Sequence, residues 1–360
     1  MRKRTETDAD AILAIDADNP EALFSGEDIA VEAEFRRLVM VWHPDRCHDP
    51  RATEVTAHIV GLHRLLAARR GDDIAAQSRH QAVPWLGPLC IPDPTLRSIE
   101  SDDGRTRAFR VHLERPFELG SMWVGDSFVL FLVRPDFQDL FENGRRAVSA
   151  LAYADSAMEL EMSRHLPVLI ECFRTATDEL AMVVAKGADD LPMVDVCRVF
   201  SGSVDPRHVA WMMSSLHHIA CYLTYARTTH NAISPDTCFL SPRRHAVSLL
   251  GGWWYSTPSG ERLRAMPTWS LQNAPRKIVD TQVGDPRIDL TLIRAVGRYL
   301  LGPDGRARAP AAMRRFLEEP VVEDALTIYR TWAEHVLQES FGDRRFVDLR
   351  LGSDKVYDRG

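Results

Sequence analysis

The chain has six cysteines in 360 residues, and none form a Cys-x-x-Cys pair. Scattered thiols exclude a disulfide scaffold and fit a reduced, cytoplasmic setting. Long apolar runs are missing too. The longest clear one, 128–133 (FVLFLV), is far too short to span a bilayer and reads as a buried strand. No apolar segment follows the basic start Met1-Arg2-Lys3-Arg4, so no signal peptide is expected. Excess positive charge is lacking: a net charge of −7 and a pI near 6.0 argue against general nucleic-acid binding. Paired carboxylates, a Ser-His-Asp order and a nucleotide fingerprint are absent, so no cofactor is expected. No metal site is expected either. His43, Cys47, His48, His58 and His63 are close in sequence, but no pair has standard structural-zinc spacing, and His58 and His63, five apart, do not share a helix face.

What is present suits an ordinary globular protein of two or three domains, 45% hydrophobic and 26% charged. The first 75 residues read as a small all-α unit. Ile12, Leu13 and Ile15 mark a short helix, broken at Asn19-Pro20. Ser25-x-x-Asp28 looks like a capping box. Val31, Phe35, Leu38, Val39 and Trp42 then fall on one helix face. Pro44 ends that helix, because the residue before proline is pushed out of the α region. A third helix starts after Asp49-Pro50, with Val55, Ile59, Leu62, Leu65 and Leu66 as its stripe and Gly71 as its stop.

Between the two longer helices stands Trp42-His43-Pro44-Asp45-Arg46, preceded by Phe35-Arg36-Arg37-Leu38-Val39-Met40-Val41. This order resembles helix II and the following loop of a J-domain, the module by which Hsp40-like co-chaperones stimulate DnaK-type ATPases. The resemblance implies that Arg36, Arg37, His43, Pro44, Asp45 and Arg46 dock on an acidic surface of a DnaK-type chaperone. Arginine suits such a surface because its planar fork binds a carboxylate bidentately. Proline stiffens the loop, so less entropy is lost on docking. Two features depart from the family: residues 1–80 carry 11 Lys/Arg against 15 Asp/Glu, and Val41 stands where the family often has a lysine.

Pro84, Pro88, Pro92 and Pro94 interrupt every pattern in 76–107, which reads as a semi-rigid connector. The region 108–350 then reads as strands first and helices after, an α+β domain. Strands are expected at 108–113, 127–133, 166–173 and 179–184, with a helix-compatible stretch at 140–160. Asp205-Pro206 opens a long helix with Val209, Met212, Met213, Leu216, Ile219 and Leu223 as its stripe. Residues 351–360 read as a tail.

Downstream lie His230-Asn231-Ala232-Ile233-Ser234-Pro235-Asp236-Thr237-Cys238-Phe239-Leu240, then Leu249-Leu250-Gly251-Gly252-Trp253, Asn273-Ala274-Pro275-Arg276 and Asp289-Leu290-Thr291-Leu292. In order and spacing these resemble the catalytic loop, metal loop, Ala-Pro-Glu segment and loop-anchoring helix of protein kinases. The resemblance implies a kinase-like fold, with a small β-rich lobe at about 108–190 and a larger helical lobe at about 191–350. It also implies that the chemistry is gone. Phosphoryl transfer needs a lysine on the phosphates, an aspartate base, and an asparagine and an aspartate on the metal ions. Phe131, Ala232, Thr237 and Gly251 or Gly252 stand at those places, while His230 and Asp289, which hold the loop in kinases, are kept.

The expectation is a multidomain, non-enzymatic co-chaperone or adaptor. Its J-domain-like unit recruits and stimulates a DnaK-type chaperone, and its pseudokinase binds a client or partner, without nucleic acid or membrane. Two alternatives stay open: an atypical phosphotransferase or nucleotide-binding regulator, and a structural interaction protein with a relic J-domain.

Overall fold

The computed structural model describes residues 8–16, 19–24, 31, 34–35, 38, 41–42, 49–52, 54–59, 61–63, 65–66, 94–343 and 346–357. The chain divides into two compact units, Met1–Pro84 with Tyr153–Leu160, and Trp85–Ala152 with Glu161–Gly360. Among the described residues, no helix is long and apolar enough to cross a membrane.

In the first unit, Asp8 caps α1 (Ala9–Leu13), accepting from the Asp10 and Ala11 N–H groups. Helical residues further on supply the rest of one core. Val31, Leu38, Trp42, Val55, Ile59, Leu62 and Leu66 are buried in the same cluster as Ile12 and Phe24. Each such side chain contributes about 1.5–3 kcal/mol on leaving water. The Thr56 hydroxyl donates to the Trp42 carbonyl at 2.7 Å, and His63 stacks on Phe35 at 3.9 Å. Val41 is on the outer face, 45% exposed.

The second unit is α+β, with its strands leading. β1 (Thr95–Glu100) and β2 (Thr106–Val111) form an antiparallel hairpin, in register from Thr95↔Val111 to Glu100↔Thr106. A five-stranded antiparallel sheet follows, built from β3 (Leu113–Phe117), β4 (Gly120–Val124), β5 (Phe128–Val133), β6 (Val168–Arg174) and β7 (Leu180–Ala185), in the order β3-β4-β5-β7-β6. β5 sits at the centre and is buried along its whole length, which is why its sequence is a continuous apolar run rather than an alternation. Phe128, Leu130 and Leu132 pack with Trp123, Ala181 and Val183 on one face. Phe131 faces the other way. Gly120 sits where a Cβ would be 1.9 Å from the Leu132 carbonyl oxygen, so the strands approach only because it is glycine. Between β5 and β6 in sequence run α2 (Gln138–Ser149) and α3 (Ser156–Met162), of which residues 156–160 are counted with the first unit.

The helical part begins after β8 (Leu191–Pro192) with α4 (Met193–Val199) and α5 (Pro206–Tyr225). Asp205 caps α5 through the Arg207 N–H at 2.9 Å, with Pro206 in the first turn. β9 (Thr228–Thr229), β10 (Cys238–Ser241) and β11 (Ala246–Leu249) follow, then β12 (Thr257–Pro258), α6 (Thr268–Asn273), α7 (Arg276–Thr281) and α8 (Pro286–Arg308). α8 packs on α5 at Gly297, where a Cβ would press on Met213 and Leu317. It breaks at Gly302-Pro303, where Gly302 has φ 58°. Helices α9 (Ala311–Glu318), α10 (Ala325–Arg330), α11 (Leu337–Phe341) and α12 (Ser353–Tyr357) follow, with a π-helical segment, Thr331–Val336, between α10 and α11.

Several expectations are corrected. The described end of the 76–107 connector holds strand β1 and the start of β2; β1 is exposed apart from Ile99, so it carries little apolar alternation. Residues 108–113 belong to two strands, and 140–160 to two helices. The 351–360 tail contains α12, with Val356 and Tyr357 buried and Tyr357 stacked on His112 at 4.8 Å.

His217 of α5 is fully buried between Phe316 and Trp332, and neither ring nitrogen makes a well-formed hydrogen bond. Burial and the nearby Arg294 charge push it down to about 3, with the Met213 carbonyl one turn back opposing weakly. Its folded value lies below the unfolded one, so the unfolded state takes up the extra proton. Stability is therefore intact above about pH 6.5 and is lost as pH falls toward 3, at about 1.4 kcal/mol per pH unit. A His217→Phe variant is expected to gain about 1 kcal/mol at pH 7. It should also lose roughly 2 kcal/mol less than the parent between pH 6.5 and 5. Urea midpoints at the two pH values, followed by circular dichroism, measure both.

Candidate functional site

The five-stranded sheet and the helical part of the second unit enclose a cleft of about 200 Å³. Its floor is the loop from His230 to Thr237, which is held by one carboxylate. Asp289, in the first turn of α8, is 2% exposed and accepts from the His230 N–H and the Asn231 N–H, each at 2.8 Å. Burial pushes this carboxyl up to about 7, against the pull of the two N–H donors. Asn231 has φ 61°, a conformation asparagine tolerates. Its side chain donates to the Ala265 carbonyl at 2.9 Å, and its own carbonyl accepts from the Ser270 hydroxyl at 2.5 Å. The loop is thus tied to three separate segments.

His230 sits fully buried with Nε2 at 3.1 Å from the Gly251 carbonyl and its ring edge-on to Trp253. Burial pushes it down to about 3, so the imidazole is neutral and Nε2–H is the donor. Ala232 is buried and offers no acid or base. Thr237 turns its hydroxyl back into the loop and donates to the Ala232 carbonyl at 2.7 Å, which leaves it no role toward an ion in the cleft. Gly252 has φ 84°, and a Cβ there would meet Ala232, His230 and Thr237 at 2.8–3.1 Å. A carboxylate at this position has no room. A Cβ at Gly251 would touch the Phe131 ring at 3.4 Å.

Phe131 itself closes the back of the cleft. Its ring meets Trp254 at 5.0 Å and Phe117 at 5.9 Å, and those two lie 5.1 Å apart. Such edge-on and tilted aromatic contacts add about 0.5–1.5 kcal/mol each beyond area burial. α2 supports the arrangement from behind. Asn143 donates to the Trp254 and Ser256 carbonyls at 3.0 and 2.8 Å, and Gly144 packs against the Trp254 backbone.

The rim carries the charge. Arg115 pairs with Asp195 at 2.5 Å and Asp236 at 3.5 Å, so it is already neutralised. Glu118, in the β3–β4 turn, reaches across the opening to accept from the Tyr255 hydroxyl and the Thr268 N–H, each at 2.8 Å. Burial raises its carboxyl, but these hydrogen bonds outweigh that and leave it below its ordinary value. Lys186 does not line the cleft. Its ammonium donates to the Asp126 and Gly187 carbonyls, and burial pushes it down to about 8 against the pull of Asp190 and Asp126.

Phe131, Ala232, Thr237 and Gly252 therefore line one cleft, with His230 and Asp289 directly beneath it. Arg276 lies apart, 91% exposed at its side chain and 3.5 Å from Asp280. Arg36, Arg37, His43, Pro44, Asp45 and Arg46 lie outside the described residues. So do Cys47 and His48, whereas His58 is bonded to the Ile15 carbonyl. In the turn between β10 and β11, Arg244 pairs with Asp190 at 2.6 Å, and His245 stacks on Trp211 and Phe346. Sequence reasoning missed Glu118, Arg115 and Phe117. A lone charge in a turn carries no signal of the residues it will meet more than 100 positions away.

An Asp289→Asn variant keeps the shape but sets an amide N–H against one of the two backbone N–H groups. It is expected to lose about 2–4 kcal/mol, measured as the fall in urea midpoint of the full chain. No protein-family model matches the chain, and no curated protein matches it either.

Proposed function

We propose that the second unit is a catalytically inactive, protein-kinase-like binding domain, and that the chain is an adaptor whose first unit recruits a DnaK-type chaperone ATPase. The observation that carries the inactive reading is the environment of Gly252. Backbone conformation and three neighbours leave no space for the aspartate that would hold a metal ion there. Other features support it. Ala232 stands at the base position, Phe131 at the lysine position, and Arg115 is consumed by two aspartates. Electrostatic stabilisation of a transferring phosphoryl group needs free cations or metal, and the cleft offers aromatic rings instead. The sheet order β3-β4-β5-β7-β6, the helix between its third and fourth strands and the carboxylate-held loop support the kinase-like reading. A small aromatic pocket with a polar rim suits an apolar side chain of a partner protein.

The chaperone side rests on Trp42-His43-Pro44-Asp45-Arg46 and on Arg36 and Arg37. The two-sided helical core around Leu38, Trp42, Val55, Ile59 and Leu62 is compatible with it.

Two measurements test the proposal. The full chain is expected to stimulate the ATPase of a DnaK-type chaperone several-fold, and its Asp45→Asn variant to give no stimulation; equal rates for the two would sink the co-chaperone half. Adding ATP with Mg²⁺ is expected to leave the thermal midpoint of the full chain unchanged. A saturable upward shift would instead favour a nucleotide-binding regulator.

A further inference from the structure

Away from the cleft, three side chains from distant parts of the sequence converge at one place in the second unit. Glu161, His165 and His218 each present a ligand atom, and the three atoms lie within 4.8 Å of one another. Glu161 is on α3, His165 is in the turn leading to β6, and His218 is on α5. We propose that this cluster is a binding site for a borderline divalent transition metal of the zinc class, with these three residues as ligands and water in the fourth position.

The orientation of His165 argues for it. The residue is 4% exposed, and its Nδ1 lies 2.7 Å from the Val247 carbonyl in β11. Nδ1 therefore carries the proton, and the Nε2 lone pair points toward the cluster. A carbonyl on the far nitrogen of a histidine is the usual outer support of a metal ligand. The support is itself braced: the Ser215 hydroxyl lies 3.3 Å from Nδ1 and accepts from the Val247 N–H at 2.8 Å. With its proton on Nδ1, the ring offers Nε2 as a neutral donor. His218 Nδ1 is 3.9 Å from Glu161 Oε1, and the two histidine rings lie 5.4 Å apart. Tyr329 stacks on His218 from the outside.

A cationic side chain already bridges two of the three ligands. The Arg164 guanidinium pairs with Glu161, and its Nε donates to His165 Nε2 at 3.3 Å. The ligand atoms thus share a face that attracts positive charge. Arg164 is 45% exposed at its side chain and can swing into water when a metal enters. Tetrahedral zinc, with bonds of about 2.0–2.2 Å, needs ligand atoms about 3.3 Å apart, so the three must draw in by roughly an ångström. Two histidines and a glutamate with an open position form a familiar zinc ligand set.

Co²⁺ titration of the full chain tests the proposal, because tetrahedral Co²⁺ shows strong visible d–d bands. One equivalent should bind, develop those bands and be displaced by Zn²⁺. Glu161→Gln and His218→Ala should each weaken binding by at least about tenfold, while Arg164→Ala tightens it. A Cys47→Ser, His48→Ala double variant should bind like the parent. These substitutions avoid His165, whose loss would expose the buried Val247 carbonyl. Absence of tetrahedral bands in the parent would overturn the proposal. So would unchanged binding in both Glu161→Gln and His218→Ala, or loss of binding in the Cys47/His48 variant.

Discussion

One buried carboxylate decides the shape of the cleft. Asp289 gives an oxygen each to the His230 and Asn231 N–H groups. A charge at this depth is unfavourable unless its lone pairs are used, and an N–H pair with no acceptor would be unfavourable as well. Each side therefore makes the other tolerable. The carboxylate also sets a left-handed asparagine, which turns the chain so that Ala232 faces the sheet and Thr237 comes back to close the loop. Gly251 and Gly252 then pack on that loop through His230 Nε2 and Thr237. The Asn231–Ala265 and Ser270–Asn231 hydrogen bonds reinforce the direction that Asp289 sets at the start of the loop.

Above this floor, aromatic packing fills the space between the sheet and the loop. Phe131, Phe117 and Trp254 join sheet to loop by ring contacts, and Glu118 fastens the turn above them to Tyr255 and Thr268. Both arrangements hold two layers together, but they act at different ranges. Ring contacts need close fit and add rigidity. A lysine or a metal would hold the layers by longer-range attraction and leave a space between them for substrate. The cleft that remains is accordingly small and largely closed by its own side chains.

Sequence made legible what depends on local chemistry. Six consecutive apolar residues marked β5, and Asp205-Pro206 marked the start of α5. The resemblance to kinase loops grouped His230, Ala232, Thr237, Gly252 and Asp289, which the fold brings together at and beneath one cleft. Illegible features were of two kinds. β1 and α12 have too little apolar pattern or too few residues to stand out, and their neighbours hold them in place. Glu118 and the Glu161–His165–His218 cluster depend on chain segments separated by more than 50 residues, and no local rule links them. The loop from His43 to Arg46 was readable in sequence but lies outside the described residues.

On the proposed kinase-like reading, Asp289 is kept while the charges expected above it are not, and the asymmetry has a physical reason. Asp289 satisfies backbone groups that any version of the loop exposes, so its removal destabilises the fold whatever the cleft does. Charges that serve chemistry satisfy nothing in the empty protein. Crowded together in a dry cleft they repel or require water, and they are worth keeping only when a substrate or metal rewards them. Phe131, Ala232 and Gly252, which line the cleft above Asp289, place no such charge there. On the proposed kinase-like reading, the polar group that serves the fold is kept and those that serve chemistry are not, which leaves an aromatic cleft suited to a partner's side chain.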